Sequence, residues 1–377
     1  MTPYIWGHYS ILILPPSFPM GGMENPLLTF ASPTIITGDK SQVDVAIHEI
    51  AHSWTGNDVT CVNWSNMWLN EGFTVFEERK VTARLHGKDF SKVAAYLGNI
   101  DMLTDMDSFV GNRTSNYSSL NPQPLHNLPD DSFSTVPYEK GFQFLNYLES
   151  KVGEDDMQII LQRWVLKNSL TSRDYTQFEA HFNATVDDLK NATEAAHIKN
   201  MINWHAWVVQ PGVPPVIQDF TTEALNQSQA LADEYIQLNG TASPANYSAF
   251  DKYYSTLKVI FIEELNSNSD NLTIPILQKI DADYNLTNTL DPECKQRWYP
   301  LGIRQNFTDV IEPAHKFISS VGRLKYLTPI YQSLIDTDQV ALGQQWLEEN
   351  ADFYHPQAYA KIAKMLGVTQ QRWSYDQ

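Results

Sequence analysis

The chain is poor in cysteine. Only Cys61 and Cys294 occur in 377 residues, which excludes a disulfide-framework scaffold. The sequence leaves open whether the two meet, and a pair of reduced thiols is the plain expectation. No run of eighteen apolar residues is present, so no transmembrane helix is expected. Cations are also scarce: 26 Lys and Arg stand against 44 Asp and Glu, a net charge of −18. Neutralising nucleic-acid phosphates takes clustered Lys and Arg, so nucleic acid is not expected as a partner, and neither is an anionic membrane. The opening segment, Met1 to Pro19, holds only the short apolar run Ile11-Leu12-Ile13-Leu14, closed by Pro15-Pro16. It lacks the basic start and small-residue cleavage site of a signal peptide, and a cytoplasmic protein is expected. Asn-x-Ser/Thr sequons recur from Asn63 to Asn306. They could carry glycans in a secreted protein, but an Asn- and Thr-rich composition accounts for them more simply.

What is present is a well-filled globular chain. Hydrophobic residues make up 42% and aromatics 12%, which excludes a disordered polypeptide, and the length suits two domains. Residues 9–14 and 26–37 are apolar and β-branched, bounded by Pro and Gly, and predict strands. Helices are predicted over 41–54, 66–86, 89–105, 139–151, 154–166, 173–184 and 195–208, with Gly56 and Gly87 placed to stop the first two. Gln210-Pro211-Gly212-Val213-Pro214-Pro215 cannot continue a helix and marks the best boundary. The division is therefore 1–208, a Pro-rich linker at 209–218, and 219–377. The last part reads as successive amphipathic helices, one carrying Phe317, Val321, Leu324 and Leu327 at helical spacing. Such helices could stack as a solenoid, although no strict repeat period is visible. The fold class expected is mainly α with a small β part.

The chemistry-bearing pattern is His48-Glu49-Ile50-Ala51-His52, followed eighteen residues later by Glu71 within Trp68-Leu69-Asn70-Glu71-Gly72. Positions i and i+4 of a helix share a face, so His48 and His52 can turn two imidazoles towards one metal. Glu49 is rotated to a neighbouring part of that surface, within reach of a water and off the metal. A surface helix with two incidental histidines is the alternative, and a third carboxylate in its own helix weighs against it. Three protein ligands leave a fourth position open, the mark of a catalytic rather than a structural zinc site.

Three further motifs stand in order with these: Gly21-Gly22-Met23-Glu24-Asn25, Val136-Pro137-Tyr138-Glu139-Lys140-Gly141, and the flanking Leu14-Pro15-Pro16-Ser17-Phe18-Pro19. Together they make the chain resemble the zinc metallo-aminopeptidases of the gluzincin clan that carry the Gly-x-Met-Glu-Asn signature. Within that family it is similar to the leukotriene A(4) hydrolase and aminopeptidase B branch, and Gly322-Arg323-Leu324-Lys325 fits the same branch. The resemblance implies a thermolysin-like zinc catalytic domain followed by an all-helical, armadillo-like C-terminal domain. It implies one Zn2+ per chain held by His48, His52 and Glu71, with Glu49 as general base and Tyr138 as donor to the oxyanion. It implies that Glu24 binds the substrate's α-ammonium and that Pro19, Met20, Gly21, Gly22 and Met23 line an extended peptide. Asp130 resembles the acidic pocket residue of the branch, with the adjacent Asp131 as the alternative. Arg323 and Lys325 resemble a pair that grips a carboxylate, for which the Arg fork is suited.

The resemblance also implies a β-rich domain ahead of the segment that opens here. The function expected is zinc-dependent removal of N-terminal residues from short peptides, tripeptides and arginyl substrates among them, by a monomer. Two alternatives remain: epoxide hydrolysis of a leukotriene A(4)-type lipid, for which Phe133 departs from the Tyr of the vertebrate hydrolase, and a non-catalytic zinc-binding fragment that needs the β-rich domain.

Overall fold

The computed structural model describes residues 1–123 and 133–369. Three short strands come first, β1 (Ser10–Ile13), β2 (Gly22–Met23) and β3 (Leu28–Ala31). Their sheet order is β1-β3-β2. β2 runs antiparallel to β3, with Gly22 opposite Ala31 and Met23 opposite Phe30, and it therefore lies at a sheet edge. Then follow α1 (Val43–Ala51), β4 (Val59–Cys61), α2 (Trp68–His86), α3 (Lys88–Ser108), α4 (Val136–Val152), α5 (Glu154–Asn168), β5 (Thr171–Arg173), α6 (Tyr175–Leu189) and α7 (Ala192–Met201). β4 and β5 pair in parallel, Val59 opposite Thr171 and Cys61 opposite Arg173. The remaining helices are α8 (Glu223–Leu238), α9 (Ser255–Ser267), α10 (Ile274–Tyr284), α11 (Pro292–Arg304), α12 (Ile311–Ile318), α13 (Leu324–Asp336), α14 (Val340–Glu349) and α15 (Pro356–Met365). Among the described residues no helix is long and apolar enough to cross a membrane, and both cysteines are buried free thiols.

The chain divides into two compact units, one of residues 1–10, 24–29 and 46–221, the other of residues 11–23, 30–45 and 222–377. The first is built on α2 and α4. Single glycines with positive φ separate α2 from α3 (Gly87, φ +97) and α4 from α5 (Gly153, φ +93), a conformation that side-chain-bearing residues resist. α2 and α4 meet glycine to glycine: a Cβ on Gly72 would lie 2.7 Å from the Gly141 Cα, so only two bare backbones can approach this closely. Beside that crossing, Arg79 of α2 donates to Glu139 of α4 at 2.7 Å, both buried, and Gly98 of α3 leaves room for the Glu139 carboxyl. Around this frame packs an aromatic core in which Phe144 stacks on Trp207 at 5.0 Å and meets Trp204 edge-on at 4.9 Å. Burying several aromatic rings together adds edge-to-face attraction to the area removed from water.

A buried lysine helps to tie the Pro-rich segment into this unit. Lys140 is fully buried, and its Nζ donates to the carbonyls of Ser118 (2.9 Å), Gln210 (3.2 Å) and Gly212 (2.8 Å). Burial pushes its ammonium down to about 7.

In the second unit α8 packs on α9, α9 on α11, α11 on α13, and α13 on α15. The unit is thus a helical stack without a fixed repeat. Side-chain caps start some of its helices: Thr222 accepts the Leu225 N–H of α8, and Asp291 accepts the Glu293 N–H of α11, satisfying backbone donors that no helical carbonyl reaches.

Several expected elements differ. The strand expected over 26–37 shrinks to Leu28–Ala31, because Pro33 starts a 3-10 turn. The single helix expected over 195–208 ends at Met201. Asn203 then accepts the Ala206 N–H on its side chain, and that cap starts a separate turn over His205–Val209. Phe317 and Leu327 belong to two helices, α12 and α13. Gly322 between them donates its N–H to the Pro16 carbonyl, and a Cβ there would stand 2.5 Å from the Ser17 carbonyl oxygen. A continuous helix would lose that backbone docking. β4 and β5 escaped detection because three-residue strands carry no alternation to read.

Lys140→Met would leave three buried carbonyls without their donor, and should lower unfolding free energy by roughly 2–3 kcal/mol. Between pH 7 and 10.5 the folded wild type binds fewer protons at Lys140 than the unfolded chain does, since the folded value is the lower one. Its stability relative to Lys140→Met should therefore rise with pH across that window. Denaturant titrations at pH 7 and pH 9 check both expectations, and a pH-independent difference would contradict the second.

Candidate metal centre

α1 ends one residue before His52, yet the His52 N–H still donates to the His48 carbonyl at 3.1 Å. The one-turn relation of the two imidazoles therefore survives the end of the helix. Their Nε2 atoms lie 3.1 Å apart. Glu71 in the first turn of α2 brings its Oε2 to 3.3 Å from His48 Nε2 and 3.2 Å from His52 Nε2. A tetrahedral zinc with bonds of about 2.0 Å separates its ligand atoms by about 3.3 Å. The three observed edges match that figure.

The outer nitrogens decide what the inner ones can be. His52 Nδ1 lies 2.8 Å from the Thr55 carbonyl oxygen, which can only accept, so Nδ1 carries the proton and Nε2 offers a lone pair. His48 Nδ1 meets the Glu78 carboxylate at 3.0 Å and is a donor by the same reasoning. Two lone pairs and a carboxylate oxygen turned on one another at about 3 Å repel unless a cation sits among them. Such outer partners fix tautomer and ring orientation in metal sites. When no cation is there, protons serve instead. Burial would lower both imidazoles, but Glu71 and, for His48, Glu78 outweigh it and hold them above their ordinary value. Burial acts against the charge on Glu71 too, and the two histidines still hold its carboxyl down to about 2. The donor set therefore fits a zinc ion.

Glu49 is buried beside this set, and its Oε2 has no hydrogen-bond partner. Desolvation pushes its carboxyl up to about 7 against the pull of His48 and His52. Glu24 joins Glu49 and His52, their ligand-capable atoms all lying within 4.8 Å of one another. Tyr138, in the first turn of α4, lays its ring 6.0 Å from that of His48. Burial first, then the carboxylates of Glu71, Glu24 and Glu49, raise its hydroxyl well above the ordinary phenol value. The first unit thus gathers His48, Glu49, His52, Glu71, Glu24 and Tyr138 in one place.

The other candidates belong to the second unit or fall outside the described residues. Pro19, Met20, Gly21, Gly22 and Met23 belong to the second unit, where Pro19 and Gly21 meet the segment that carries Arg323. The Leu324 N–H donates to the Pro19 carbonyl at 2.8 Å, and Gly21 lacks the Cβ that would strike the Arg323 guanidinium. Arg323 is buried and donates to the hydroxyls of Tyr326 (3.0 Å) and Thr34 (3.4 Å). Lys325 is held by an internal carboxylate, Glu293, at 2.7 Å. The three cations Lys325, Arg323 and Arg297 keep Glu293 at about 2 despite its burial. Asp130, with Asp131, lies outside the described residues.

Sequence reasoning missed Thr55, Glu78, Glu293 and Tyr326. Glu78 was within reach of it. Seven residues after Glu71, it repeats the same face of α2 two turns on. Thr55 acts through a backbone carbonyl, for which side-chain identity gives no signal.

Comparison with known proteins adds the following. A profile described as "Peptidase family M1 domain" matches residues 1–207, and one described as "Leukotriene A4 hydrolase, C-terminal" matches residues 253–366. The chain is 34% identical over 364 residues to leucine aminopeptidase 2 of Neosartorya fischeri, covering 97% of this chain and 58% of that protein. It is 35% identical over 367 residues to the leukotriene A-4 hydrolase homolog of Botryotinia fuckeliana, covering 97% and 55% respectively. Among solved structures it resembles yeast LTA4 hydrolase in complex with bestatin, with TM-score 0.87 and 29% identity over 96% of this chain and 60% of that one. The chain therefore spans a little over half the length of the curated relatives it matches.

Glu78→Ala should leave the fold intact and weaken zinc binding by about 10–100-fold, as measured by competition with a chromogenic chelator. Glu71→Ala removes a ligand and should lose more. Equal zinc affinity in wild type and Glu71→Ala would contradict the site.

Proposed function

This chain belongs to peptidase family M1, a family of zinc metalloenzymes, and from that premise we propose that it is a zinc-dependent aminopeptidase. It takes short peptides, tripeptides and arginyl substrates among them, and releases their N-terminal residue. One observation carries the reading. Three metal-capable atoms stand at tetrahedral spacing, with an unpartnered buried carboxylate, Glu49, next to them.

A zinc ion held by His48, His52 and Glu71 supplies Lewis acidity towards water and towards a peptide carbonyl. Glu49, pushed up to about 7, is suited to take the proton of the attacking water and pass it to the leaving amine. The Tyr138 hydroxyl stays protonated at neutral pH and can donate to the developing oxyanion. Glu24 receives the substrate's α-ammonium, which limits cutting to the N-terminal residue. The outer side of the edge strand Gly22–Met23 accepts the extended peptide by strand addition, with Pro19, Met20 and Gly21 leading into it. Asp130 is the acidic pocket residue, and Arg323 with Lys325 receives a substrate carboxylate. Of this pair Arg323 has the larger share, because Lys325 already holds Glu293.

Residues 1–208 form the catalytic part, 209–218 the connection, and 219–377 the helical part. The two unpaired cysteines support a cytoplasmic setting, where thiols stay reduced, and the chain acts as a monomer with one zinc.

A second reading, hydrolysis of a lipid epoxide, draws on one feature: the hydrogen bonds of buried Arg323 go to the hydroxyls of Tyr326 and Thr34, weaker acceptors than the carboxylate of a fatty-acid head.

Glu49→Gln should bind one zinc and lose at least about a thousandfold in turnover of an arginyl anilide, while Tyr138→Phe should lose about a hundredfold with unchanged zinc content. Metal analysis and a colorimetric assay check both. Hydrolysis undiminished in Glu49→Gln would sink the assignment. Product analysis with a lipid epoxide separates the second reading. A wild-type chain that binds zinc and turns over neither substrate would be a binding module.

A further inference from the structure

One residue touches both the metal-ligand turn and the segment that carries Glu24. The backbone N–H of Asn57 donates to the His52 carbonyl at 3.0 Å. Its side-chain Nδ2 donates to the Glu24 carbonyl at 2.8 Å. The turn holding Asn57 is itself braced. The Gly56 N–H donates to the Val59 carbonyl, and the Gly56 carbonyl accepts from Thr60 Oγ1 at 2.7 Å. Gly56 has φ +130, and a Cβ there would stand 2.8 Å from His52 Nδ1, so the turn lies flat against the ligand's outer nitrogen. Thr55 of the same turn accepts the His52 Nδ1 proton. The turn is therefore a rigid extension of His52, and Asn57 is the point at which it reaches Glu24.

Glu24 needs such a tether. It sits just past the edge strand β2 and is followed by Asn25 and Pro26. Its carboxylate shares a region 4.8 Å across with Glu49 and His52, where the Glu49 carboxylate repels it and the His52 imidazole draws it in, so its own main chain has to fix its place.

The geometry points to Asn57 as a positioning residue that sets the distance between the α-ammonium site at Glu24 and the metal ligands. It thereby fixes the register of cleavage at one residue from the N-terminus. In a substrate the α-nitrogen and the scissile carbonyl carbon are two bonds apart, about 2.5 Å. A drift of Glu24 of about 1 Å is then a large fraction of the distance being measured, and misplacement on that scale can cost up to about a hundredfold. Asn57 touches neither substrate nor metal. It acts through the main chain of Glu24. The inference rests on the reading of Glu24 as the ammonium site.

The test is calorimetric binding of L-arginine amide to the full chain, with zinc content measured in parallel. Asn57→Ala and the isosteric Asn57→Asp both remove the donor, and each should weaken binding about tenfold at wild-type zinc content. With L-arginine 4-nitroanilide, KM should rise by about the same factor while kcat falls by less than about threefold. Glu24→Ala should weaken binding further. Adding Asn57→Ala to Glu24→Ala should change nothing more, because the position of an absent carboxylate has no effect.

Wild-type affinity in both Asn57 variants would overturn the proposal. So would an equal loss in the wild-type and Glu24→Ala backgrounds, or loss of zinc from the Asn57 variants. If Glu24→Ala itself bound as tightly as wild type, the ammonium reading would fall first, whatever Asn57 did.

Discussion

The contact between Gly72 and Gly141 is the constraint on which the site depends. Two helices can come this close only where neither carries a side chain, and each glycine sits beside site residues. Glu71 precedes Gly72, and Tyr138 lies one turn before Gly141. The crossing of α2 and α4 therefore decides how far the third metal-capable atom stands from the phenol. The Arg79–Glu139 pair sits next to the same crossing and prevents it from sliding. A buried pair of this kind is weak evidence for net stability, but losing either partner would strand a charge. It contributes chiefly to register.

The polar groups around the metal-capable atoms form a second layer with a single purpose. Glu78 and the Thr55 carbonyl each accept a hydrogen bond from the outer N–H of an imidazole, and so leave the inner nitrogen with its lone pair. The cost is a cluster of acidic and basic groups buried together. Without a cation this cluster must hold protons that burial disfavours. Sites arranged this way favour function over stability.

Much of this was legible in the sequence, and the reason is local. His48, Glu49 and His52 sit on or beside one helix, so their relation follows from its pitch. Glu71 was legible because it opens a second helix that Gly87 closes where expected. Two kinds of feature were not. Non-local backbone contacts, such as the Gly322 N–H on Pro16 that splits α12 from α13, leave no periodic trace. Carbonyls used as acceptors, at Thr55 and Glu24, are the same atom in every residue. Lys325 shows a third gap: its motif resembles one that grips a substrate carboxylate, while the internal carboxylate that it meets, Glu293, lies 32 residues away in sequence.

The single glycines at 87 and 153 have a consequence for how the chain assembles. Helices joined through one residue close almost no loop when they meet. The α2–α3 and α4–α5 hairpins can therefore form early and independently. The glycine crossing joins residues 72 and 141, a separation of about seventy residues that makes it slow to close. Folding of the first unit then waits on the docking of two preformed hairpins, and Tyr138 of α4 meets Glu71 of α2 only in that step.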